Sequence, residues 1–394
     1  MTGSGVRTGG PARTRASAHS KSNNTAVIID LMLKYVAICG LLAQVALCQS
    51  GQKIAPVPEN RLELASGGVR LVEAPEERDA LIGLMEKARS YYDFKESRQA
   101  YHVKTSFTVT SGGRTEYDGD WQLDEMYFPG LGDRLTAHTA GSVFEQLKTP
   151  TANYQDTPAG TFPLRLHEAR GHLLGPLESI KNVRHDLIRT VEANLNGAAV
   201  TCLLLSDGRR TSEASAPGRL WLEREECLDP ATGHLLLHSP APGLYVLYDF
   251  SQPFKLEGKE LPGKMTVVEN ETTVIEERVE SLEALAKVDP SDFTPTAKMR
   301  SQRPGATMAG LQKISLGAIR PSAGTVQTVV IFGLMTPDGT VAEAHPLQST
   351  DPALVDAALR RVTQVKWLTA SVAPGADREQ HELFALVHLT ADAP

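Results

Sequence analysis

Cysteine is scarce in this chain of 394 residues: there are four, and Cys39 and Cys48 fall within the first 48 positions. That excludes a cysteine-rich scaffold and a four-thiolate zinc site, because Cys202 and Cys227 have no further ligands at metal spacing. Long apolar runs are missing too. The longest, Tyr35 to Leu47, has 13 residues, short of the roughly 20 that a membrane-spanning helix needs. No Gly-x-Ser-x-Gly elbow and no complete Gly-x-x-x-x-Gly-Lys-Ser/Thr phosphate loop occurs, which removes two common signatures of enzymes. Basic charge is in short supply, with 40 Lys and Arg against 47 Asp and Glu and a net charge of −7. Residues 1–34 hold five basic side chains and one acidic one, so the rest carries −11. Nucleic acid is therefore excluded as a partner. There is no internal repeat and no low-complexity tract beyond the first 25 residues.

The amino terminus reads as an export signal. Lys34 precedes the apolar run and small or polar residues follow it, the layout of a secretory signal. Met32-Leu33-Lys34 has the form of a signal start, which makes Met1 to Leu31 an upstream extension. Cleavage is expected after Cys48 or Ser50; Leu47 disfavours lipidation at Cys48, and a retained inner-membrane anchor is the alternative. The localisation that follows is the periplasm or cell envelope. In that oxidising setting Cys202 and Cys227 read first as a disulfide between adjacent strands, with two buried free thiols as the alternative.

Residues 74–289 read as a β-rich antiparallel-sheet domain, after a linker over 51–73. Leu81, Leu84, Met85 and Ala88 have helical spacing. Tyr101, Val103, Thr105, Phe107 and Val109 alternate with polar residues as in a half-buried strand. Further strand-like runs lie at 114–123, 141–148, 198–205, 219–223, 243–250 and 264–279, with part of 163–196 helical. One long twisted sheet with a helix on its inner side fits this order. The helix, the successive hairpins and the turn from Cys227-Leu228-Asp229-Pro230 to Leu235 resemble envelope proteins of the lipoprotein-carrier (LolA-like) type. That resemblance implies a half-barrel able to shelter an acyl chain or pack against another envelope protein.

After a second linker over 290–310, residues 311–394 read as a small ββαβ domain, making the whole an α+β protein. Val326, Thr328, Val330, Phe332 and Leu334 alternate with Gln327, Val329, Ile331 and Gly333, so one strand has two largely apolar faces and needs a helix over one. Thr336-Pro337-Asp338-Gly339 turns the chain into a second strand. Asp351 caps a helix with Pro352 at its first position. Leu354, Ala358, Val362 and Val365 share one stripe, and Trp367 follows as an anchor. These features resemble the C-terminal domain of TonB-family energy transducers. The resemblance implies a docking module that binds an extended peptide of an envelope or outer-membrane protein along a sheet edge, in energy-coupled transport. The expected edge is the last strand, with Leu383, Phe384, Ala385, Leu386, Val387 and Leu389, because no later segment covers it. The alternative is a lipid or lipoprotein carrier in which the middle domain does the binding.

No catalytic residue, cofactor or metal site is expected. His167-Glu168-Ala169-Arg170-Gly171-His172 spaces its histidines five apart, where a zinc-protease helix needs four, and reads as a solvated helical surface. Glu223, Glu225 and Glu226 beside Arg224 read as a solvated strand or turn. Trp121, Trp221 and Trp367 read as core anchors.

Overall fold

The computed structural model describes residues 55–58, 60–65, 68–110, 117–156, 162–207, 216–302, 326–335, 339–365 and 381–389. The apolar run at 35–47, Pro337, Asp338 and Trp367 lie outside them. Contacts group Lys53–Pro394 into one unit.

The first half runs through β1 (Arg70–Leu71), α1 (Pro75–Ser90) and a meander of β2 (Tyr101–Val109), β3 (Gly119–Phe128), β4 (Gly132–Thr139), β5 (Ser142–Lys148) and β6 (Asn153–Asp156). Helix α2 (Leu164–Leu174) and the single turn α3 (Ile180–Val183) follow. A second meander holds β7 (Asp186–Leu195), β8 (Ala198–Asp207), β9 (Arg224–Leu228), β10 (Leu235–Ala241) and β11 (Leu244–Asp249). The hairpin of β12 (Phe254–Leu256) and β13 (Lys259–Leu261) precedes β14 (Lys264–Glu269), β15 (Thr272–Ala284) and β16 (Arg300–Gln302). Fourteen strands form one sheet in the order β1-β7-β8-β9-β10-β11-β14-β15-β2-β3-β4-β5-β6-β16. The chain closes the two meanders on each other through β15, which pairs with β2.

Strand β2 buries Tyr101, Val103, Thr105, Phe107 and Val109 and leaves the alternate residues accessible, so one face is covered. Trp121, Phe144, Leu203, Leu235 and Val246 from both meanders join a single cluster with Met85 of α1 and Leu173 of α2. Strands β2 to β5, β7 to β11, β14 and β15 all contribute to this cluster, and twisted strands can share it only by curling round it. The helices therefore lie on the inner face.

The outer face is divided. Along β7 to β11 it is apolar, with Val200, Cys202, Leu204, Cys227 and Leu237 packed under Leu62 and Ala65. Residues 60–65, read from sequence as linker, are thus a strap. Glu63 within it accepts hydrogen bonds from Tyr245, at 3.1 Å, and from Arg219, at 3.4 Å. Residues 290–302 are not a free linker either, because β16 adds to the sheet beside β6.

Two readings are corrected on this side. Residues 219–223 are turn, and the strand starts at Arg224. Glu223, Glu225 and Glu226 are buried, not solvated. Burial pushes the Glu223 and Glu225 carboxyls up, and Glu63 pushes Glu225 further. Beside the nearby Arg219, their partners include Glu63, Arg189 and His238 from other elements, so local charge pattern could not reveal the burial.

The C-terminal segment has the ββαβ order: β17 (Gln327–Met335), β18 (Val341–Ser349), α4 (Val355–Gln364) and β19 (His381–Leu389), with β17 central in the sheet β18-β17-β19. Gly339 takes a left-handed φ of +83°, as a reversal after β17 requires. Asp351 accepts from the Ala353 amide at 3.0 Å and opens a short 3₁₀ turn that leads into α4. Ala358 and Val362 pack on Val329, Ile331, Ala385 and Val387. The opposite face is not solvated: Val330, Phe332, Leu334 and Leu347 belong to the inner cluster of the large sheet.

Candidate functional site: the inner face and its covers

Two elements cover the inner face besides α1. Helix α2 buries Leu164, Leu166, Ala169 and Leu173, and also Arg165, Glu168 and His172. A helix polar in composition yet buried nearly all round must satisfy its charges internally. Arg165 does so in part, donating to Glu168 at 2.6 Å and to both oxygens of Glu269 on β14 at 2.5 and 2.8 Å. Arg170 donates to both oxygens of Glu125 on β3 at 2.5 and 3.0 Å, and Tyr101 donates to the same carboxylate at 2.8 Å. Burial works against that carboxylate, but Arg170 and Lys95 outweigh it and hold Glu125 well below the usual range.

The histidine motif is therefore buried, which corrects the reading of a solvated surface. Burial pushes His172 down to about 3, so its ring is neutral. It lies 5.6 Å from the ring of His238, which is hydrogen-bonded to Glu226 at 2.9 Å. The five-residue spacing sends His167 and His172 to different surroundings. His167 stacks edge-on to Phe162.

Helix α2 has no side-chain cap at its amino end and carries Gly171 in its last turn, both of which weaken a helix. Clefts run along its flanks. One of about 340 Å³ is lined by Tyr92, Phe94, Lys95, Tyr101 and Arg170. Another of about 130 Å³ is lined by Leu135, Phe162, Leu166, His167 and Arg170. Among the described residues the inner face is filled by its covers rather than hollow.

The second cover is the C-terminal sheet. Leu334 pairs with Glu343 of β18 and with Glu382 of β19. The three form one row across the sheet on the face that meets the large domain. The Leu164 amide donates to Glu343 at 3.5 Å, joining this row to the start of α2. Phe384 and Leu386 pack on the inner cluster, whereas Leu383, Ala385 and Val387 face α4. Leu389 pairs with Gln327. The expected docking strand is an edge: among the described residues only β17 pairs with it. Its side chains, however, are divided between two interiors.

On the outer face, the Cys202 and Cys227 positions are directly paired across β8 and β9, and their sulfurs are joined at 2.05 Å. Glu225 offers a carboxylate close to both. With the sulfurs joined to each other, no thiolate remains to bind a metal.

No family model and no curated protein matches the chain. Solved structures do. A LolA-superfamily protein from Nitrosomonas europaea is 10% identical, with a TM-score of 0.33, covering 54% of this chain and 96% of that one. A DUF1329-family protein from Desulfovibrio piger is 11% identical, with a TM-score of 0.34, covering 57% and 98%. The MucA/MucB complex of Pseudomonas aeruginosa is 12% identical, with a TM-score of 0.26, covering 67% and 82%. These are loose likenesses. The ββαβ order is present in the C-terminal segment, but nothing in the comparisons supports a TonB-family domain.

Proposed function

We propose that this chain is a non-enzymatic binding protein of the cell envelope that shelters an apolar group, the acyl chain of a lipid or lipoprotein, on the inner face of its large sheet. One observation carries the reading. Besides α1, the inner apolar cluster is closed by α2 and the C-terminal sheet rather than by the large sheet's own strands. A displaced cover would expose Phe107, Trp121 and Phe144, a ready apolar surface for a chain-like ligand. The signal-like run at 35–47 and the Cys202–Cys227 pair agree with an exported protein.

The test is a titration of the delipidated full chain with the apolar dye 1-N-phenylnaphthylamine, followed by displacement with a diacylated lipopeptide. Saturable binding with displacement is expected; no binding anywhere between pH 5 and 9 overturns the reading. A second reading is peptide docking along β19, favoured by its edge, where among the described residues only β17 pairs with it. It predicts shifts in the backbone resonances of β19 when an extended envelope-protein peptide is added, without dye displacement.

A further inference from the structure

We infer that the C-terminal sheet is an acid-closed cover: protons taken up by carboxylates buried where it meets α2 hold it down, and their loss releases it. This rests on the binding reading above for what release accomplishes.

The geometry is an excess of carboxylates over cations in one contact. Glu168 and Glu269 share the single guanidinium of Arg165, and Glu269 takes two of its three hydrogen bonds. The second oxygen of Glu168 has no hydrogen bond. The C-terminal sheet brings Glu343 and Glu382 to the same place in one row, and behind them Glu226 lies against His238. The groups facing the contact among the described residues are Arg165, Glu168 and His172 of α2, Glu269 of β14, Glu226 and His238 of β9 and β10, Glu343 and His345 of β18, and Glu382 of β19. Arg224 reaches Glu226 at 4.0 Å, and Tyr92, Glu226 and Glu277 act on the buried hydroxyl of Tyr248. His172 is neutral, so among the described residues Arg165 is the one permanent cation shared among Glu168, Glu269 and the row from the cover.

Charge counting and burial agree. Burial pushes Glu168 up to about 8; Arg165 opposes this, and Glu269 and Glu382 add to it. Burial pushes Glu382 up to about 7, with His238 opposing. Glu382 keeps some solvent access, so Glu168, which has none, is the stronger proton site. Glu343 is raised as well, by burial. In an opened form each would return toward 4.5. A group whose closed-state pKa is raised binds more protons when closed. The closed form therefore has its full advantage below about pH 4.5, loses it as pH rises, and is weakest above about pH 8.

Hydrogen exchange on the full chain tests this, read by mass at pH 5.5, 7.0 and 8.5 and corrected for intrinsic rates, with β3 and β4 as internal reference. Opening at α2 and β19 is expected to rise roughly tenfold or more across that range, since each unit of pKa shift is a factor of ten. The double variant Glu168→Gln, Glu382→Gln mimics the protonated pair and is expected to stay protected at pH 8.5. If it fails to fold, Glu382→Gln alone, at the partly accessible position, is expected to lose part of the step. Wild-type protection that does not change with pH, or a full wild-type step in the variants, overturns the cover. A step without dye binding overturns the binding reading and leaves the cover standing; dye binding without a step overturns the cover alone.

Discussion

Single residues divide the molecule into a locked side and a charged side. The Cys202–Cys227 bridge spans 25 residues and sits under the strap on the outer face. Loss of chain entropy in the unfolded state makes such a loop worth about 2 to 4 kcal/mol. Cys202→Ala with Cys227→Ala is expected to lower the denaturant midpoint by that amount, and reduction of the wild type should match the variant. Two thiols that alkylate freely without reductant would contradict it. On the inner side, Arg165→Met leaves Glu168 and Glu269 buried without their cation, which typically costs about 3 to 5 kcal/mol. The loss should be larger at pH 8 than at pH 5, where protonation relieves the carboxylates. A midpoint shift equal at both pH values would count against the shared-guanidinium argument.

Among the elements, the β10–β11 turn shows how closely the C-terminal sheet is seated. Gly243 holds φ at +90°, and a Cβ there would overlap the Leu347 carbonyl of β18. Gly243→Ala therefore meets both a strained backbone and a backbone neighbour that cannot swing away, and is expected to cost more than about 1 kcal/mol. Hydrogen exchange should rise in β18 while β3 and β4 stay protected. Equal loosening across the large sheet would mean that the turn stabilises the whole domain rather than the cover. Helix α2 makes the complementary point: its charged residues are its attachment, and its apolar residues fill the groove.

For the whole molecule, the shared cluster makes the C-terminal sheet dependent on the large one. A fragment of about residues 306–394 would expose Val330, Phe332, Leu334 and Leu386 together, a patch that favours association over a stable monomer. It is expected to sediment as oligomers or to give poorly dispersed amide resonances. A dispersed monomeric spectrum would show that α4 alone suffices to hold the sheet.

Much of the fold was legible in the sequence. The alternation in β2, the run of β8 and the left-handed Gly339 follow from local rules of period and turn chemistry and formed where expected; Asp351 caps a 3₁₀ turn ahead of α4 rather than α4 itself. The cysteine pair was readable because it lacks other partners. Trp121 was readable as a core anchor from its size. Burial of polar residues was not. Glu168, His172, Glu223, Glu225 and Glu226 have the composition of solvated segments, and what buries them comes from strands up to about a hundred positions away, with two further carboxylates from the C-terminal sheet. The second apolar face of β17 was visible, but its use was not: the sequence implied two faces needing cover and one helix to supply it. Only the tertiary structure decided that the other cover is the large sheet's own core, because burial of an apolar face is non-directional and any surface of matching shape satisfies it.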